Sequence, residues 1–179
     1  MTAALVLQLT RLYLEPQRQY HGLHHITAML QAGRAMPLDD EQTMAVWFHD
    51  AIYDPRSRTN EEDSAALAAR ALAAEGWRRE AIDRVCRIVL DTKQHVPTTP
   101  GAAAVLDLDL MSLAAPWAEF AQNTARIRAE YAHLPEADFT AGRRAFFTTM
   151  LQRPRLFHTE FGAKLEAAAR QNMLRAMQS

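Results

Sequence analysis

Several things this chain lacks narrow it before any motif is read. It has one cysteine, Cys86, in 179 residues, which excludes an internal disulfide. With Val85, Ile88 and Val89 around it, that thiol reads as core filling and not as a nucleophile. There are only six glycines, and none falls in a GxGxxG, GxxxxGK[ST] or GxSxG pattern; CxxC is absent as well. No apolar run approaches the roughly 20 residues that a bilayer-crossing helix needs, and the N-terminus carries no basic segment leading into an apolar one. The expectation is a cytoplasmic protein without a membrane partner. A formal net charge of -1 argues against a general nucleic-acid surface while leaving room for a local basic pocket.

What is present is a chain 49% hydrophobic and 23% charged, rich in alanine and leucine. That composition favours helices, and the length suits one domain able to bury its own core. Leu5, Leu9 and Leu12 keep helical spacing in an N-terminal segment over residues 2–14. A second helix runs to about Ala32, where Gly33 provides a stop. It is preceded by Arg18, Tyr20, His21, His24 and His25, and a helix through this stretch puts His21 and His25 on one face. Asp39 and Asp40 open a third helix. Thr59 and Glu62 read as a capping box for a fourth, whose small face is Ala65, Ala68, Ala69 and Leu72. Ile82, Val85, Cys86 and Val89 mark a fifth, after which His95 lies at a helix end or in a loop. Three further helical patterns follow after Pro116, the middle one striped by Phe139, Phe146, Phe147 and Met150, which reads as core although a homodimer face stays open.

Two places in these helices conflict with simple burial. Met44, Trp47, Phe48, Ala51 and Ile52 form an apolar helical stripe, yet His49 and Asp50 flank it side by side. Imidazole and carboxylate are costly beside apolar surface, and a divalent cation compensates both at once. The second conflict is Asp109, which shares a stripe with Leu106, Leu110 and Leu113, whereas Asp107 projects from another side of that helix.

In order and spacing these residues resemble the HD superfamily of metal-dependent phosphohydrolases, and in local wording a small bacterial group within it. The matching stretches are Arg18-x-Tyr20-His21-x-x-x-His25-Ile26, Trp47 to Tyr53, Asn60-Glu61-x-x-Ser64-Ala65, Asp91-Thr92-x-x-His95, Leu106-Asp107-x-Asp109-Leu110 and Ile127-Arg128-x-Glu130-Tyr131. The similarity spans roughly residues 18 to 172. It implies an all-α, single-domain helical bundle over residues 1–179, with a metal-site core over about 18–115 and C-terminal helices over about 116–178. It implies His21, His49, Asp50 and Asp109 as ligands of one divalent ion (Mn, Mg, Fe, Co, Ni or Zn), because only His95 stands where a second metal would need more histidines.

The activity implied is hydrolysis of a nucleotide-like small phosphorylated molecule by metal-activated water. Asp50 would orient the water, with Glu61 as general acid or base and His95 as second choice. Arg18, Lys93 and Arg128 would clamp phosphate on charge grounds. A non-catalytic metal- or nucleotide-binding module uses the same ligands and stays open, as does a di-iron oxygenase, against which the lone His95 counts.

Overall fold

The computed structural model describes residues 1–178, which contain helices and no strand, as an all-α reading expects. Two compact units divide the chain, Met1–Leu106 and Asp107–Ser179. The first carries α1 (Ala3–Tyr13), α2 (Leu23–Ala32), α3 (Asp40–Phe48), α4 (Asn60–Ala74), α5 (Arg79–Thr92) and the start of α6 (Ala102–Leu110). The second holds the end of α6, a 3-10 turn over Met111–Ala114, α7 (Trp117–Glu130), α8 (Glu136–Leu151), the short α9 (Glu160–Ala163) and α10 (Glu166–Ala176). No helix is long and apolar enough to cross a membrane among the described residues.

In the first unit α5 shows why sequence becomes packing. Ile82, Val85 and Val89, with Ile88 beside them, make one buried stripe that lies against α4 and α3. Each such side chain contributes about 1.5–3 kcal/mol of burial. On α4 the buried Ala65 and Ala68 are small, so the two helices come close enough for the Cys86 thiol to donate to the Ala65 carbonyl at 3.3 Å. The thiol is half-buried, and that burial pushes it above its ordinary pKa.

Helix starts and stops depart from local expectation in two places. Thr59 holds the N-cap position of α4 but makes no capping bond: its hydroxyl donates to Asp63, and Glu62 pairs with Lys93. The capping box belongs instead to α3, where Asp39 accepts from the Gln42 amide and the Gln42 side chain accepts from Asp39 N–H. Helices α4 and α5 then end in the same turn. Gly76 N–H bonds to Ala73 O and Trp77 N–H to Leu72 O; His95 N–H bonds to Thr92 O and Val96 N–H to Asp91 O. Gly76 has φ +77°, as that turn requires, but in α5 the left-handed position is filled by His95 at φ +49°.

The second unit is built round Leu110, Leu113, Phe120, Phe147, Met150, Leu156, Phe157 and Met173; of the α8 stripe Phe147 and Met150 are core, Phe146 packs against it half-buried, and Phe139 is buried beside Tyr131. Residues 161–169 form two helices and not one. Thr159 caps α9 by accepting from Gly162 N–H, and Leu165 N–H then turns back to Gly162 O at 2.8 Å, closing α9 before α10 starts. Asp107 is fully buried, whereas Asp109 is half-buried, the reverse of what the leucine spacing suggests. The Asp107 charge is met by the backbone N–H groups of His158 and Thr159 and by the Thr159 hydroxyl, at 2.6–3.0 Å. Burial of a carboxylate is tolerable on those terms.

Candidate metal centre

The last turn of a helix leaves carbonyls without intrahelical partners, and the end of α3 shows where each one goes. Ala45 O accepts from His49 N–H, and Phe48 O from Ala51 N–H. Val46 O lies 2.9 Å from His49 Nδ1, and Trp47 O accepts from the Tyr13 hydroxyl at 3.0 Å. Beyond the helix, Asp50 O and Ala51 O both accept from the Arg18 guanidinium. A carbonyl can only accept, so the contact with Val46 puts the neutral ring's proton on Nδ1 and the lone pair on Nε2.

That tautomer creates the central feature of the site. His49 is 1% exposed, and its Nε2 stands 3.1 Å from Asp50 Oδ2. Lone pair and carboxylate oxygen at that distance repel unless a proton or a cation lies with them. Two ligand atoms about 3 Å apart are also what one ion with bonds of about 2.0–2.2 Å requires of neighbouring ligands. His25, on the buried face of α2 with Ile26 and Met29, has its ring centroid 5.4 Å from that of His49. Asp109 lies on α6, which is unbroken from Ala102 to Leu110. His25, His49 and Asp109 each offer one ligand atom, all within 4.8 Å of one another, and the group can hold a metal ion. Two imidazoles with carboxylates form a donor set that suits divalent first-row metals.

The residues expected at this site are thus partly redistributed. The group that can hold an ion brings together His25, His49 and Asp109; Asp50 lies beside His49, and His21 is not among the three. His21 precedes the helix, because Gly22 is the N-cap of α2, and its ring stacks on Tyr53 at 4.2 Å. The distinction was available in the sequence: His25 and Met29 share a stripe four apart with Ile26 beside them, while Gly22 interrupts any helix through His21.

The three basic residues expected to clamp phosphate are engaged with protein. Arg18, its side chain 1% exposed, bonds to Glu15 and to three carbonyls. Arg128 bonds to Glu136, Tyr131 O and Leu134 O, closing the end of α7. Lys93 donates to Glu62 and Arg58 O and lies 3.7 Å from Glu61. The hydrogen bond between Lys93 and Glu62 raises the pKa of the first and lowers that of the second. Asp91, in the same sequence stretch as His95, holds the loop beyond α5 by accepting from Thr98 and Thr99.

Comparison with protein-family models, curated proteins and solved structures finds no match for this chain.

Proposed function

We propose that the protein is a metal-dependent phosphohydrolase acting on a nucleotide-like small phosphorylated molecule. The observation that carries the reading is the His49–Asp50 pair, with His49 Nε2 at 3.1 Å from Asp50 Oδ2 while Nδ1 lies 2.9 Å from Val46 O. His25, His49, Asp50 and Asp109 would hold the ion. When bound, a divalent cation lowers the pKa of its water and polarises a phosphoryl oxygen, which is the chemistry hydrolysis of a phosphate ester requires. The resemblance to HD phosphohydrolases supports the same reaction class.

The chain's own groups supply the rest. With Nδ1 donating to Val46 O, the neutral His49 ring would present the Nε2 lone pair to the ion. The Asp50 carboxylate accepts a hydrogen bond from the attacking water and orients it. Proton transfer at the leaving oxygen is assigned to Glu61, with His95 second. The left-handed backbone of His95 supports a role for that side chain, since a glycine would fill the same turn with less strain.

The test is a screen of phosphorylated metabolites with added Mn, Co or Mg, run on wild type and His49→Ala. Turnover in the first and its loss in the second supports the reading. A folded, metal-loaded wild type that hydrolyses no phosphate ester would leave a binding module in its place.

A further inference from the structure

The geometry points to Arg18 as the positioning residue of the metal centre, an inference that rests on the metal-site reading above. Arg18 lies five residues after Tyr13 and before α2, in a segment with no helix of its own. Its Nη1 donates to Asp50 O at 2.5 Å and His21 O at 3.3 Å, and its Nη2 donates to Ala51 O at 2.9 Å. Nε donates to Glu15 at 2.9 Å. Tyr13 and Tyr53 flank the guanidinium, their ring centroids 5.3 and 5.7 Å from Cζ.

These bonds reach both segments that carry ligands in the first unit. Holding the carbonyls of Asp50 and Ala51 fixes the two peptide planes that follow the Asp50 Cα, and so the direction in which its carboxylate leaves the chain. Holding His21 O fixes the strand of backbone that enters α2 four residues before His25. A single planar fork therefore sets the separation between the His25 helix and the His49–Asp50 turn. It also places a permanent positive charge at the negative end of α3, where the carbonyl dipoles would otherwise accumulate. Lysine cannot take this place, because one ammonium does not span three carbonyls in a plane.

The role differs from simple fastening, and the structure contains a control. Arg170 has the same bonding pattern in the second unit, to Glu166, Leu151 O and Arg153 O, and bonds to no residue of the metal group. The experiment titrates Co(II) into apo wild type, Arg18→Lys and Arg170→Lys, reading the visible Co(II) absorption together with the thermal midpoint of each apo protein. A positioning role predicts a Co(II) dissociation constant raised about tenfold or more in Arg18→Lys, with a changed band shape, and an unchanged constant in Arg170→Lys despite a comparable loss of midpoint.

A constant within twofold of wild type in Arg18→Lys, with the midpoint lowered, overturns the inference and leaves Arg18 as a fastener. Absence of any Co(II) band in wild type overturns the metal reading itself, a different result. Should Arg18→Lys fail to fold, Glu15→Ala removes the acceptor of the Nε arm, which otherwise serves only the exposed Gln17 amide: weaker Co(II) binding there supports the positioning role, and unchanged binding contradicts it.

Discussion

His49 Nε2 faces Asp50 Oδ2 across 3.1 Å while His49 Nδ1 is occupied by Val46 O. With the His49 ring neutral that pairing sets two acceptors face to face, and a proton or a cation between them turns it into an attraction. Substituting Asp50→Asn replaces one acceptor with an N–H donor to Nε2. The expected outcome is an apo protein as stable as wild type or more stable by about 1 kcal/mol, with metal binding weakened at least tenfold. Thermal unfolding in chelator, set beside metal titration, reads both.

Asp107 and Asp109 lie two residues apart and should separate cleanly. Asp107→Asn turns an amide NH2 towards the N–H groups of His158 and Thr159, and about 3 kcal/mol of stability should be lost. Its metal content should stay at the wild-type level. Gly162→Ala should injure the same junction, because a Cβ there falls inside contact distance of Asp107 and 2.5 Å from Phe157 Cβ. Urea unfolding measures both losses; metal loss in Asp107→Asn with stability intact would reverse the roles given to the two aspartates.

His95 holds a left-handed position that α4 gives to Gly76. Replacing it with glycine should stabilise the fold by about 0.5–1 kcal/mol. If His95 moves a proton in the reaction, the same variant should lose about a hundredfold in turnover or more. A gain in stability with undiminished turnover would make His95 a helix terminus and nothing else.

The Lys93–Glu62 pair sets a pH window. The pKa of Glu62 is lowered from 4.5 by the Lys93 hydrogen bond, so its contribution is present above 4.5 and disappears as pH falls through the depressed value. Lys93 is raised from 10.5 by the same bond, so its contribution is present below 10.5 and disappears as pH rises through the higher value. Lys93→Met should flatten both limbs of a stability–pH curve and leave the shape between them unchanged. Equal limbs in the two proteins would show that the exposed pair contributes nothing measurable.

The helices were legible in the sequence wherever apolar spacing carried them, as on α5. Features decided by distant partners were not. Thr59 and Glu62 have the residues of a capping box, but Lys93, 31 positions on, takes Glu62. Asp107 looked turned away from the core because its partners, His158 and Thr159, lie 51 and 52 positions further along. Arg18 resembled a phosphate clamp by charge alone, and only its closeness to Asp50 O and Ala51 O reveals its place beneath the site. His25 was within reach of sequence reasoning, since Gly22 marks the start of α2 and leaves His21 outside it.

The most direct measurement is elemental analysis of metal per chain in wild type, His25→Ala and His21→Ala. The geometry predicts about one divalent ion per chain in wild type, lost in His25→Ala and kept in His21→Ala. Metal kept in His25→Ala and lost in His21→Ala, or absent from wild type under every loading condition, would contradict it.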